Sequence, residues 1–212
     1  MSKVLVIGAS RGLGRETVRA ALGAGHSVRA FSRSENPFGR SQARLEYRQG
    51  DARKREDLES ALDGVDAAIQ TLGIGGRDLF APVTLFSEAT RALVAAMAAG
   101  GVKRLIAVTG FAAGDSRAAL SLLQRAPFLL LFGRAYADKD IQERLIRESS
   151  LDWTIARPGV LLPGPRRGRL SALVDPSQWR NGIVSRPDVA DFLVEQIASS
   201  KYLRQAPVLV WG

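Results

Sequence analysis

The first fifteen residues restrict the fold more than any other part of the chain. An apolar run, Val4-Leu5-Val6-Ile7, passes directly into Gly8-Ala9-Ser10-Arg11-Gly12-Leu13-Gly14 and then into a stretch with helical spacing. A buried strand, a glycine loop and a helix in that order form a β-α unit whose loop is suited to a pyrophosphate. Gly8 allows the tight turn, Gly12 lets backbone approach a ligand, and Gly14 permits close packing of helix on sheet. The helix N-terminus adds free N–H groups and a partial positive charge, with Ser10, Arg11 and Leu13 beside them. No Gly-Lys-Ser/Thr follows, so the loop is not of the Walker A type. The competing reading is a glycine-rich turn with no ligand.

Downstream, short apolar runs alternate with helical patterns. Strands are expected at Val4–Ile7, Ser27–Phe31, Leu45–Gln49, Ala67–Gln70, Arg104–Val108, Asp152–Ala156 and Pro207–Trp211. Helices are expected at Leu13–Ala24, Arg55–Leu62, Val83–Ala99, Asp138–Glu148 and Pro187–Ser199. Strands apolar throughout and separated by helices imply a parallel sheet covered on both faces. Right-handed crossovers make it an α/β, doubly wound Rossmann sheet. The 212 residues suffice for one domain, 1–212, with a small C-terminal substrate-side region.

Composition removes several chemistries. There is no cysteine, which excludes disulfides, thiol catalysis and cysteine-ligated metals. One histidine, His26, excludes a histidine-rich metal site, and its place between the first helix and second strand marks it as structural. Thirty Lys+Arg against 21 Asp+Glu give a formal net charge of +9, which suits an anionic ligand or simply a basic surface. The arginines are scattered and no recognition motif is present, so nucleic acid is not expected as a partner. No targeting segment or membrane span is visible, so a cytoplasmic location without membrane contact is expected.

The end of the second strand discriminates between nicotinamide cofactors. An NAD site usually carries an acid there to hold the ribose 2′-hydroxyl. Here the strand ends Phe31-Ser32-Arg33-Ser34. Arg33 is suited to a 2′-phosphate, with Arg11 as a second cation, so NADP(H) is expected over NAD(H). The alternative for Arg33 is a solvated surface arginine.

The glycine loop, Arg33, Gly50-Asp51 and Arg157-Pro158-Gly159 together resemble the short-chain dehydrogenase/reductase family. More closely they resemble its atypical NAD(P)H-binding branch, which includes biliverdin-IX-beta reductase (flavin reductase) and NmrA-like dinucleotide sensors. The resemblance implies that Asp51, beside Ala52, accepts from the adenine amino group, and that Thr71-Leu72-Gly73 lines the adenosine ribose. It also implies that Pro158 and Val160 flank the nicotinamide and that Lys139 lies near its ribose. The glycine spacing of the loop departs slightly, being that of the classical branch.

The catalytic pair of classical members is missing. Their Tyr-x-x-x-Lys places a proton donor and a lysine on one helix face. Position i+4 from Tyr47, Tyr136 and Tyr202 is Asp51, Asp140 and Ala206. Lys139, three residues after Tyr136, leaves a variant pair conceivable, and Thr109 takes the usual serine position or is followed by its loss at Gly110. Tyr136 reads as a substrate contact or a half-buried helix residue, and Lys139 as a binding residue or an exposed lysine. Hydride transfer to a flat acceptor does not require a protein acid. Residues 111–136 and 159–182 are expected to form a lid and loops over the substrate, with Leu120, Leu122, Leu123 and Phe128–Phe132 suiting a lipophilic small molecule. Arg117, Arg125 and Arg134, or Arg166-Arg167-Gly168-Arg169, are candidates to meet an acidic group. A core helix, a solvated flap or a dimer patch are the plainer readings, leaving monomer and homodimer both open. Two functions follow: an NADPH-dependent reductase, or a non-catalytic NADP(H)-binding redox sensor.

Overall fold

The computed structural model describes residues 1–39, 42–74 and 83–212; the side chains of Leu122 and Gln124 lie outside the described set. Eight strands form one sheet in the order β3-β2-β1-β4-β5-β6-β10-β8. They are β1 (Lys3–Ile7), β2 (Ser27–Ser32), β3 (Leu45–Gln49), β4 (Ala67–Gln70), β5 (Arg104–Val108), β6 (Asp152–Pro158), β8 (Leu170–Leu173) and β10 (Val208–Trp211). All neighbours pair in parallel except the edge strand β8, which runs antiparallel to β10. The helices are α1 (Gly12–Gly23), α2 (Arg55–Leu62), α3 (Leu85–Gly100), α4 (Leu122–Glu148) and α5 (Arg186–Glu195).

Both faces of the sheet are covered, because its central strands turn apolar side chains to each face. Val4 and Val6 join Val18 of α1 and Val189 and Leu193 of α5 in one core. Leu5 and Ile7 join Leu58 of α2, Leu93 of α3 and Ile146 of α4 in the other. Each such side chain contributes roughly 1.5–3 kcal/mol by leaving water. The reversal of connection between β1 and β4 opens a crevice at the carboxyl ends of these strands, the usual ligand position in such sheets.

Three features differ from expectation. Helix α4 starts at Leu122 rather than Asp138, so most of the expected lid is its first half. Pro127 lies in the second turn, where its missing N–H removes the bond to the Leu123 carbonyl while the remaining turns carry the helix through. The region 159–182, expected as loops, contains β7 (Val160–Leu162) and β8. β7 pairs in parallel with β9 (Ile183–Ser185) in a small accessory sheet. Finally, the loop that follows β7 is tied to α5 and β10. Arg166 pairs with Asp191, the Arg167 guanidinium stacks over Trp211, and the Arg167 and Gly168 N–H groups donate to Asp188. Asp188 also accepts from Ser185 and Trp211, and its pKa lies below the ordinary value: burial raises it, but these four hydrogen bonds outweigh burial.

Candidate functional site

A cleft of about 780 Å³ lies across the carboxyl ends of β1, β2, β4 and β5. Gly8, Ser10, Arg11, Gly12, Leu13, Arg33, Asp51, Ala52, Thr71, Leu72, Gly73, Thr109 and Lys139 all line it. Gly14, Pro158 and Val160 are not among its lining residues. Gly14 lies beneath the loop, Pro158 is buried at the end of β6, and Val160 is exposed. Leu161, the residue after Val160, lines the cleft instead, as does Arg186 at the start of α5. The single histidine lies elsewhere, its Nδ1 accepting from the Ser2 N–H. Among the described residues no group of three or more potential ligands could hold a metal ion.

The glycine loop has the geometry of a cradle. Gly12 is left-handed, with φ 55°, and a Cβ there would meet nothing within 4 Å, so the loop is open above it. Gly14 is the opposite case: a Cβ would lie 2.6 Å from the Thr71 hydroxyl and closer still to the Gly8 carbonyl oxygen. That contact holds α1 tight against β1 and β4. The first turn of α1 contains no acid, and no side chain caps it. Its leading N–H groups therefore remain available to an anion.

At one end of the cleft, Arg33 follows β2 and Asp51 follows β3. Asp51 accepts from Arg53 through both oxygens, with an Nη2–Oδ2 distance of 2.6 Å. These bonds from Arg53 hold its pKa down at about 2 against burial. Among the described residues neither Arg11 nor Arg33 forms an ion pair, and both are exposed.

The other end is built by β5 and α4. Thr109 is buried, and its hydroxyl donates to Glu143 Oε1 at 2.8 Å while its carbonyl accepts from Lys139 Nζ. Glu143 also accepts from Arg157 Nε at 2.9 Å and Nη2 at 2.5 Å. Arg157 is wholly buried, and Asp115 pairs with the same Nη2. Lys139 Nζ sits 4.9 Å from the Phe86 ring centre and 5.2 Å from that of Tyr136. Burial pulls the Lys139 pKa down to about 8, with the Glu143 carboxylate opposing. Burial pushes Tyr136 up to about 12. Tyr136 does not line the cleft; it packs edge-on to Phe128 with ring centres 4.6 Å apart, in a cluster with Phe132. The hydroxyl of Thr109 is thus engaged, Tyr136 keeps its proton, and Lys139 is the group at this end of the cleft whose proton is held less tightly than usual.

The Lys139 shift has a measurable consequence. Its folded pKa lies below the ordinary 10.5, so between about pH 8 and 10.5 the unfolded chain binds the proton and the folded chain does not. Stability contributed through this residue should rise across that window. Lys139→Met should abolish the rise, as read from urea midpoints at pH 7.5 and pH 10; an unchanged pH slope would contradict the buried ammonium.

An open doubly wound sheet, an uncapped glycine-loop helix start and a cleft at the switch point define a dinucleotide-binding protein. Residues 8–200 match the family described as NAD(P)H-binding. The chain belongs to that family, in the atypical short-chain dehydrogenase/reductase group. The uncharacterized sugar epimerase YhfK of Bacillus subtilis (strain 168) is 31% identical over 204 residues, covering 92% of this chain and 87% of the relative. ChuY, described as an anaerobillin reductase from Escherichia coli O157:H7, superposes with a TM-score of 0.83 at 27% identity, over 99% of this chain and 97% of ChuY. A short-chain dehydrogenase/reductase from Veillonella parvula, solved in complex with NADP, shares the fold at 16% identity and a TM-score of 0.82, over 99% and 94% of the two chains.

Proposed function

We propose that the protein is an NADPH-dependent reductase acting on a flat, conjugated acceptor. The observation that carries the cofactor preference is the pair Arg11 and Arg33 at a cleft whose one lining acid among the described residues, Asp51, is already closed by Arg53. A 2′-phosphate meets two guanidiniums there and no unpaired carboxylate. The backbone of Gly8, Gly12 and Gly14, with Ser10 and Leu13, shapes the diphosphate cradle. Asp51 and Ala52 bound the adenine, Thr71, Leu72 and Gly73 the adenosine ribose, and Thr109 and Lys139 the nicotinamide half. Pro158 supports that end from beneath as buried backbone, while Leu161 takes the wall position that Val160 does not.

The nicotinamide supplies the hydride when NADPH is bound. Lys139 is the residue suited to hold or deliver the accompanying proton. At about 8 its pKa keeps it protonated at neutral pH yet able to release the proton at small cost. Tyr136 is not suited, because burial makes its proton harder to lose. The description of ChuY as an anaerobillin reductase supports a reductase, whereas the name of YhfK points to an epimerase. Epimerisation in this group normally requires the Tyr-x-x-x-Lys pair that is missing here.

Arg33→Glu should weaken NADPH binding by about 100-fold and NADH binding by less than threefold, as read by nucleotide fluorescence titration. Equal losses would remove the 2′-phosphate assignment. Oxidation of NADPH in the presence of flavin, quinone or bile-pigment acceptors tests the reaction itself. Binding without turnover across that panel would favour the second reading, a redox sensor. That reading draws on the exposed outer ridge of α4, where Leu123 is 91% and Leu130 83% accessible. Such a ridge suits a protein partner.

A further inference from the structure

The first half of α4 is apolar on more sides than a helix docked on a protein core needs. Along its outer ridge, Ala126 and Pro127 are exposed between the accessible Leu123 and Leu130. The exposure is not confined to that ridge. Leu129, Leu130, Leu131 and Phe132 follow one another in the helix and all are exposed, the least of them, Phe132, by 36%. Four consecutive helical residues point over about 300° of the circumference. Phe128 and Ala135 turn inward: Ala135 is buried, and Phe128 packs against the cluster that holds Leu120 and Val210. None of the exposed side chains lines the cleft, so a ligand held there does not cover them.

Two observations point to what covers this segment. The first is the arc. A helix packed on a protein buries a stripe somewhat over about 100° wide, whereas one that is apolar nearly all round needs an apolar medium that closes about it. The sensor reading gives the ridge to a protein, and a second copy of the chain would likewise bury the ridge alone. Leu129, Leu131 and Phe132, on the flanks, favour fluid acyl chains. The second observation is charge. From Ser116 to Ala137 the chain carries three arginines, Arg117, Arg125 and Arg134, and no acid. Arg117 pairs with Asp140, while Arg125 and Arg134 are exposed beside the leucines. An apolar helical segment bordered by arginines matches the boundary of an anionic bilayer, where acyl chains receive the leucines and lipid phosphates the guanidiniums. The formal charge of +9 draws the whole chain to the same surface. Among the described residues no helix is long and apolar enough to cross a membrane, so the contact is with one leaflet.

We infer that the first half of α4 docks the protein on an anionic lipid surface. The inference does not depend on what the cleft binds, and its test needs neither cofactor nor turnover. Vesicles of phosphatidylcholine, alone or with about 30% phosphatidylglycerol, are sedimented with the 212-residue chain. Wild type should bind the anionic vesicles at least tenfold more tightly than the neutral ones. Leu123→Glu/Leu130→Glu should weaken that binding by at least tenfold, and Arg125→Gln/Arg134→Gln by roughly tenfold. Leu130→Trp should add emission that shifts to the blue on the vesicles and is quenched by lipids brominated in the acyl chain. Far-ultraviolet circular dichroism and nucleotide affinity should match wild type in all of these variants. Vesicle binding that the glutamate variant retains would reduce the contact to the general basicity of the chain and overturn the inference. Failure of wild type to bind either vesicle would overturn it as well. A dimer that the glutamate variant dissociates, in a protein that ignores vesicles, would give the ridge to a second copy instead.

Discussion

Glu143→Ala should cost the protein about 3 kcal/mol or more of folding stability, the largest effect expected of any single truncation in the site. The reason is the residue it abandons. Arg157 is fully buried, and Glu143 neutralises it through two hydrogen bonds. Asp115, 59% exposed, is a partial substitute held in water rather than in the core. Removing one member of a buried pair leaves an uncompensated charge, whereas removing both costs far less. Glu143→Ala/Arg157→Met should therefore be more stable than Glu143→Ala alone. Urea unfolding followed by circular dichroism measures both. A loss below 1 kcal/mol in the single variant would show that Asp115 suffices. The same truncation frees the Thr109 hydroxyl, because Glu143 is its acceptor. Cofactor affinity should fall in the variant even where the fold survives.

The second large effect separates two glycines only two positions apart in sequence. Gly14→Ala should lower stability by about 3 kcal/mol, or the melting temperature by roughly 6–12 °C. Its new methyl would press on the Gly8 carbonyl and on Thr71, and the former is backbone that cannot rotate aside. Gly12→Val meets open space, so its cost in stability is backbone strain of about 1–3 kcal/mol. Its cost in function is greater, since the side chain fills the cradle above α1. Thermal melts and nucleotide titration should place Gly14→Ala as mainly a folding lesion and Gly12→Val as mainly a binding lesion. Tight NADPH binding by Gly12→Val would remove the phosphate-loop assignment.

The β1-loop-α1 unit was legible because everything that shapes it is local: an apolar run, glycines at fixed offsets and a polar-apolar helix pattern. Strands β7 and β9 were not, since three residues carry no periodicity and their pairing is decided by distant backbone. The one-residue difference between Val160 and Leu161 has the same origin. Side chains alternate along a strand, so assigning a wall position without knowing that β7 exists selects the wrong parity. The start of α4 was hidden because its first half is apolar on its outer ridge, which erases the two-sided pattern, and because Pro127 argues against a helix. Arg11, Arg33, Asp51 and Lys139 were found because each follows a recognisable element end or motif. Arg186 was missed because its local signal is that of a helix start, and only the third dimension brings it to the cleft.

Asp138 has no part in the proposed chemistry, but it couples the two walls of the cleft. It stands on α4 beside Lys139, and its carboxylate receives the Phe86 N–H at 2.7 Å and the Ser87 N–H at 3.2 Å from the first turn of α3. The start of one helix is thus latched onto the middle of another. Phe86 lies under the Lys139 ammonium, and Leu85 lines the cleft. A ligand that displaces α4 must carry the head of α3 with it or open the latch. The amide protons of Phe86 and Ser87 therefore act as a built-in gauge: their exchange with deuterium should slow when the cleft fills, although neither amide need touch the ligand.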